Sequence, residues 1–334
     1  MLIQKPSYYH DFRCIAGACP DSCCKEWDVQ VDAASAEAYR NLTGPLGDRL
    51  REVLRWEDGE AVMTIIDGRC PMWRQDGLCR IQAELGEEAL CKTCREFPRL
   101  THDYGDYIEY GLELSCPEAA RIILSTPAAP PIVEEICGGD APEYDTDAMD
   151  LLKQTRARAL ELLEDPNYTP QQALALLLLY GSQVQSELDG EEPSNFDPEA
   201  AMETIRSFAR PASVLPMAEF FSELEILTPQ WEQILKTAHA PKYPQGLRLL
   251  ARYFVERYWL QAVSDYDLLC RVKFVLISCI LICSLEGDFV SVAQLFSKET
   301  ENNYDNVEAI LDAAYRHPAF TDMTLLGLLT ESNS

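Results

Sequence analysis

The chain has 334 residues, of which 47% are hydrophobic and 25% are charged, so it is long and apolar enough to fold around a substantial core. Its formal net charge is -27, and no run of Lys or Arg interrupts this acidity. Because such a surface repels phosphate groups, the composition argues against binding to nucleic acid or to an anionic membrane. We predict neither kind of partner, and the composition leaves the oligomeric state open.

The chain begins with MLIQKPSYYHDFRC, which lacks the apolar centre of a secretory signal. The longest apolar stretch, residues 272–285, is too short to cross a bilayer and is typical of a buried helix. These features predict a cytoplasmic protein, whose thiols would be kept reduced. The thirteen cysteines therefore indicate metal binding rather than a disulfide framework.

The first cysteine segment, CIAGACPDSCC, supplies four thiols from what we predict to be an irregular loop. These are Cys14, Cys19, Cys23 and Cys24. Gly17 and Pro20 interrupt regular structure, so that successive side chains can turn inward around an ion. Adjacent cysteines seldom bind the same atom easily, so one member of the Cys23 and Cys24 pair would belong to another site or be structural.

A second pair of cysteines flanks a predicted turn in GRCPMWRQDGLCRI. The dipeptide Asp76-Gly77 is typical of a tight turn, which would place Cys70 and Cys79 on the two arms of a short hairpin.

The next segment, IQAELGEEALCKTCREFPR, predicts a helix that ends near Pro98. Cys91 and Cys94 are three residues apart and would share a face of that helix. Such a pair commonly offers two sulfurs to one metal ion.

Alternating apolar and polar residues in DYIEYGLELSC predict a strand, after which Pro117 and Glu118 would open a helix. This places Cys116 at a helix N-terminus, where unpaired backbone N–H groups stabilise a thiolate. The position suits a metal ligand or a reactive thiol.

The predicted metal ligands are nine thiols, which exceed one four-ligand site. They are Cys14, Cys19, Cys23, Cys24, Cys70, Cys79, Cys91, Cys94 and Cys116. Zinc and iron–sulfur clusters both bind thiolates, and the abundance of sulfur over histidine favours iron–sulfur, with zinc as the alternative. The spacing Cys-x-x-x-Cys-x-x-Cys, typical of radical S-adenosylmethionine enzymes, is not present.

The second half of the chain has few cysteines and carries apolar residues at helical spacing. We predict a metal-binding domain over residues 1–124, a Pro- and Gly-rich linker or crossing segment over 125–147, and a helical domain over 148–334. Thr169-Pro170 would open one of the long helices. The predicted fold class is mainly α, with an irregular cysteine-rich N-terminal domain that contains a short hairpin or strand, followed by an all-helical bundle. The bundle cysteines would be buried core residues: Cys270, Cys279 and Cys283.

The ordered motifs CIAGACPDSCC, CPMW, LCRI and CREFPR resemble a cysteine-rich zinc- or iron-chelating domain. With the additional Cys91, Cys116 and the helical second half, the chain is most similar to the bacterial flagellin lysine N-methylase family (FliB). The motifs cover roughly the first 120 residues. The resemblance implies a [4Fe-4S] protein that transfers methyl groups from S-adenosyl-L-methionine to lysines of flagellin. The Gly-rich turn of Rossmann-type methyltransferases is not recognisable, so another scaffold would bind the donor.

Two groups of residues are candidates for roles in that reaction. Arg95 and Arg99 would either balance the charge of a cluster, bind the carboxylate of the donor, or form surface ion pairs. Tyr104, Tyr107 and Tyr110 would either form an acidic and aromatic entry for a lysine, together with neighbouring carboxylates, or lie on an ordinary exposed strand face. A competing hypothesis is a non-enzymatic zinc- or iron-chelating module that binds a partner protein.

Overall fold

The computed structural model describes residues 1–57, 59–138 and 141–330. The strands are β1 (Leu2–Lys5), β2 (Val29–Val31), β3 (Leu54–Glu57), β4 (Glu60–Met63), β5 (Arg99–Asp103), β6 (Tyr107–Leu112) and β7 (Ile132–Glu135). The first helices are α1 (Ala33–Asn41), α2 (Pro45–Val53), α3 (Arg80–Leu85), α4 (Lys92–Glu96) and α5 (Pro117–Ser125). The later helices are α6 (Thr146–Glu164), α7 (Pro170–Leu188), α8 (Pro198–Phe208), α9 (Leu215–Glu223), α10 (Pro229–Leu235), α11 (Leu247–Tyr258), α12 (Leu268–Ile282), α13 (Phe289–Phe296), α14 (Tyr304–Arg316) and α15 (Asp322–Thr330).

The second half is helical, as the periodicity predicts. Thr169 caps α7 in a reciprocal capping box with Gln172, and Pro170 occupies the first turn. The apolar stretch at 272–285 forms most of α12, which is buried on all sides. Across the described residues, no helix has the length and apolarity needed to cross a bilayer.

The N-terminal part contains more β-structure than the single hairpin or strand that the sequence predicts. One sheet has the order β5-β6-β1-β7, with β1 parallel to β6 and antiparallel to β7. A second sheet has the order β2-β4-β3. Most of these strands have only three to five residues and lack clear alternation, and β1 pairs with segments that are distant in sequence, so local patterns do not reveal them.

One predicted helix is broken. The segment after Cys79 forms α3, a separate 3-10 turn at Glu87–Ala89 and α4, rather than a single helix. Gly86 has a φ of 91°, which ends α3 because a left-handed residue cannot continue a right-handed helix. Cys91 is the N-cap of α4, so Cys91 and Cys94 lie across one helix end rather than on a continuous face.

Two hydrophobic cores stabilise the chain. The larger core joins the helices from α6 onward to α5 and to residues of β6. The smaller core lies among β2, β4, α1 and α2 and includes Cys70 and Cys91. The predicted linker carries β7, which completes the first sheet at its edge. Of the predicted segments, residues 58, 139–140 and 331–334 lie outside the described residues, and the domain boundaries stay a prediction.

A π-helical turn, Ser297–Glu301, follows α13 and is buried throughout. Glu299 accepts hydrogen bonds from the backbone N–H of Leu227 at 2.8 Å and from the Thr228 hydroxyl at 2.5 Å, at the start of α10. Glu301 accepts hydrogen bonds from tyrosines of α11, including the Tyr258 hydroxyl at 2.9 Å. The turn therefore connects several helices of the bundle.

Candidate functional site

A cavity of about 320 Å³, here called the cysteine cavity, lies among the first cysteine loop, the hairpin at 77–79, α4 and the start of α5. Seven of the nine predicted ligands line it, and these are Cys14, Cys19, Cys23, Cys24, Cys79, Cys94 and Cys116. The other two, Cys70 and Cys91, are buried in the smaller core. The fold therefore gathers thiols that are up to about a hundred residues apart in sequence.

Electrostatic interactions divide the nine thiols into two groups. Cys14 and Cys19 both raise the pKa of Cys116, so these three lie within electrostatic reach of one another. The second group contains Cys23, Cys24, Cys70, Cys79, Cys91 and Cys94. The adjacent residues Cys23 and Cys24 both fall in the second group, where the Cys23 side chain is the largest cause raising the pKa of Cys24 to about 12.

Cys116 is the N-cap of α5, as the sequence predicts. Burial raises the pKa of its thiol to about 11, although the backbone N–H groups of Glu118 and Ala119 lower it. The helix N-terminus thus stabilises the thiolate but does not fully offset the cost of burial.

Cys91 and Cys94 interact directly at the start of α4. The side chain and backbone N–H of Cys94 lower the pKa of Cys91, because both stabilise its thiolate. Cys91 in turn raises the pKa of Cys94. The two thiols therefore favour a state in which Cys91 is the more readily deprotonated of the pair.

The donor set fits a thiolate-ligated metal or cluster, since iron–sulfur and zinc sites are built from such thiols. Across the part of the chain that the structure describes, however, no group of three or more His, Cys, Asp or Glu side chains has the arrangement of a metal site. The thiols share a cavity without forming a closed ligand shell, and their role as ligands stays a prediction.

Arg95 and Arg99 both line the cysteine cavity. Among the described residues neither guanidinium forms an ion pair, so the alternative of surface ion pairs is not favoured. Trp27 and Phe97 lie on the same wall with ring centroids 5.7 Å apart. The cavity thus combines thiols, three arginines (Arg13 being the third) and an aromatic wall.

Lys298 of the π-helical turn anchors the first cysteine loop. Its side chain is 3% exposed, and its Nζ donates hydrogen bonds to Asp21 at 2.9 Å and to Glu26. Gln294 donates to the same Asp21 carboxylate at 3.2 Å and to the Ser115 carbonyl at 2.8 Å. Burial lowers the pKa of Lys298, but its hydrogen bonds to Glu26 and Asp21 outweigh this, so the ammonium stays charged.

The three candidate tyrosines do not line the cysteine cavity. Tyr107 is buried and donates a hydrogen bond to Glu109, and the ring of Tyr104 stacks on it with centroids 6.0 Å apart. An exposed strand face is therefore the wrong description for Tyr107 and Glu109. Burial raises the pKa of Tyr104 and Tyr107, so both hydroxyls stay protonated at neutral pH.

Glu109 forms a buried ion pair with Arg156 of α6. The Arg156 Nη1 and Nη2 atoms donate to the two carboxylate oxygens at 2.9 and 2.5 Å, and Gln4 donates to the same carboxylate at 3.1 Å. The side chains of Arg156 and Glu109 are 8% and 9% exposed. The pair joins β6, β1 and the helical bundle.

Tyr110 lines a separate, smaller cavity of about 60 Å³ together with His102, Glu109 and Arg156. Burial lowers the pKa of His102, with the charge of Arg257 as the next cause. Its Nε2 atom is buried without a hydrogen-bond partner among the described residues. The imidazole is therefore neutral at pH 7.

The chain is 32% identical over 138 residues to the flagellar biosynthetic protein FliU of Salmonella muenchen, and this alignment covers 39% of the chain and 80% of that relative. The chain belongs to the FliU family. It is also 32% identical over 144 residues to a lysine-N-methylase of Salmonella typhimurium and 31% identical over 147 residues to one of Salmonella choleraesuis. Both alignments cover 40% of the chain but 35% of the relative, so the matched part spans about a third of these lysine-N-methylases.

These similarities support a FliB-like family that includes FliU and the lysine-N-methylases. No family model matches the chain, and no solved structure matches it. The resemblance of its cysteine motifs to a chelating domain therefore stays a prediction.

Sequence patterns missed two buried groups of this FliU-family protein. Lys298 contacts Asp21 across 277 positions, and Arg156 contacts Glu109 across 47 positions. No local motif marks either pair. The only signal is a charged residue at a position where helical periodicity requires burial, as for Arg156 on α6.

Proposed function

We propose that this chain is an S-adenosylmethionine-dependent methyltransferase that methylates lysine side chains of flagellin, and that its cysteine cavity holds a [4Fe-4S] cluster. Similarity to two proteins named lysine-N-methylase and to one named flagellar biosynthetic protein supports the reaction and the substrate. The observation that carries the proposal is the wall of the cysteine cavity, which combines seven thiols with Arg95 and Arg99 in a member of the FliU family.

Three groups of residues in the cavity would have different roles in the reaction. The thiols on its wall would hold the cluster. When bound, the cluster would either supply an iron that attracts the amino and carboxylate groups of a ligand, or cross-link the surrounding loops. Arg95 and Arg99 would bind the donor carboxylate through paired N–H groups. Trp27 and Phe97 would keep water from the reacting groups.

Methyl transfer places one requirement on the protein. The lysine nitrogen must form a bond to the methyl carbon while the carbon–sulfur bond breaks, with its electron pair staying on sulfur, and the nitrogen must lose a proton. With a reference pKa of ~10.4, freeing the amine at about pH 7.4 costs about 4 kcal/mol. Desolvation lowers this cost because it disfavours the ammonium, and a general base must accept the proton that the nitrogen loses. Because Tyr104 and Tyr107 stay protonated, they are better suited to donate hydrogen bonds than to act as bases.

The test uses protein purified without oxygen. We expect iron and inorganic sulfide, a brown absorption spectrum, and transfer of a labelled methyl group from S-adenosylmethionine to flagellin. Arg95→Met and Arg99→Met should raise the KM for the donor, whereas Arg49→Met, at an exposed ion pair with Glu52, should not. A colourless, zinc-loaded protein that transfers no methyl group would refute the proposal and favour a chelating module that binds a partner.

A further inference from the structure

A second cavity, here called the acidic groove, adjoins the cysteine cavity. It has a volume of about 340 Å³ and lies among residues 23–29, α4 and residues 302–303. Cys23, Trp27, Cys94 and Phe97 line both cavities. A molecule in the groove would therefore be separated from the cysteine cavity only by these shared side chains.

The groove has the charge pattern of a cation site. Asp28 is exposed at its surface, and Glu113 is half-buried. One oxygen of each carboxylate is fixed, because Asp28 Oδ1 accepts from the Ile65 N–H at 2.7 Å and Glu113 Oε2 accepts from the Ser115 hydroxyl at 3.0 Å. The other oxygen of each has no hydrogen-bond partner within the described ranges. Both can accept from an N–H donor of a ligand.

No Lys, Arg or His side chain lines the groove in the described part of the chain. Burial raises the pKa of Glu113, and the charge of Arg257 opposes this shift, but the Arg257 guanidinium is itself bound to Glu301 and to the Tyr253 hydroxyl. The carboxylates of the groove are thus not neutralised by a partner of their own.

The aromatic wall also suits a cation on an aliphatic stem. Trp27 and Phe97 present apolar faces that can pack against methylene groups. The Trp27 ring already has the Lys298 ammonium 5.8 Å from its centroid, and that charge is neutralised by Asp21 and Glu26. An ammonium is therefore compatible with this ring.

We propose that the acidic groove binds the side chain of the acceptor lysine, with its methylenes against Trp27 and Phe97 and its ammonium hydrogen-bonded to Glu113. Asp28 attracts the ammonium at the exposed end. This inference rests on the proposed function, because it places the amine beside the cavity in which the donor would bind. It assigns recognition of a protein lysine to residues outside the thiol set.

The test measures binding, without donor, of a capped pentapeptide with a central lysine to the full chain purified without oxygen. The matched ligand carries norleucine in place of lysine. Glu113→Gln should weaken binding of the lysine peptide about tenfold, because it removes a charged acceptor, and Asp28→Asn should weaken it about threefold, because an exposed charge contributes less. Neither should change binding of the norleucine peptide. Glu203→Gln, at an exposed position of α8, controls for the overall negative charge and should change neither.

Isothermal titration calorimetry gives the affinities, and thermal unfolding checks that each variant is folded. Unchanged lysine-peptide binding in both folded groove variants would overturn the inference, as would an equal loss with the norleucine peptide. A wild-type protein that binds the lysine peptide selectively but methylates no lysine would refute the proposed function and leave the amine site standing. If the protein methylates flagellin and the KM for flagellin in both groove variants equals that of the wild type, the groove is not the lysine site, whereas the proposed function still holds.

Discussion

The buried pair of Arg156 and Glu109 gives a sharp test of the fold. Replacing Arg156 with Met removes two charge-assisted hydrogen bonds and leaves the Glu109 carboxylate with the neutral donors of Gln4 and Tyr107. Because the carboxylate is 9% exposed, it is largely shielded from bulk water, and a water molecule in the small cavity beside it would offer only a neutral donor in place of the lost cation. We expect Arg156→Met to lower the free energy of unfolding by about 3–5 kcal/mol.

A double-mutant cycle separates the ion pair from the loss of packing. Adding Glu109→Gln to Arg156→Met removes the unpaired charge, so the double variant should be less unstable than the sum of the two single variants. Arg158→Met is the matched control, since this arginine lies on the same helix and its pair with Glu161 is exposed, and it should cost about 0–1 kcal/mol. Urea unfolding followed by helical circular dichroism, at equal metal content, measures all four. If Arg156→Met is no more destabilising than Arg158→Met, the buried ion pair does not stabilise the fold.

Three further predictions concern the cysteine-rich region. Lys298→Met should free the first cysteine loop, so that limited proteolysis cuts it faster than in the exposed control Lys236→Met; equal rates would contradict the anchor. Asp32→Ala should destabilise the protein by about 1 kcal/mol at pH 7. Backbone hydrogen bonds lower the Asp32 pKa to about 2, so this difference should be lost as the pH falls from about 4 to 2, which acid denaturation of both proteins measures. Cys116→Ser should lower the iron content of protein purified without oxygen, whereas Cys283→Ser, in the helical core, should not; equal iron would exclude Cys116 as a ligand.

Sequence patterns located the features that depend on local structure. The caps and periodicity of α7 predicted its position, because capping and apolar spacing act within a few residues. The dipeptide Asp76-Gly77 predicts a tight turn, and Trp73 and Cys79 form an antiparallel bridge across it. The position of Cys116 at the start of α5 followed from the proline after it.

Features that depend on distant contacts could not be predicted in the same way. The strand β1 pairs with Tyr107 on one side and with Glu135 on the other, and nothing in its four residues specifies either partner. The break at Gly86 was missed because apolar periodicity continued across it. The acidic groove depends on Asp28 and Glu113, which are distant in sequence and line one cavity only in the folded chain.

The π-helical turn at Ser297–Glu301 has a consequence for natural variation in this family. Its three charged side chains contact three separate parts of the molecule: Lys298 the cysteine loop, Glu299 the start of α10, and Glu301 the tyrosines of α11. Deleting one residue would rotate the positions that follow by about 100° relative to those before, since an α-helix has about 3.6 residues per turn. The Lys298 ammonium and the carboxylates of Glu299 and Glu301 could then no longer all reach their partners at the same time. We expect the length of this segment to vary less among relatives than the identity of its solvent-facing neighbours.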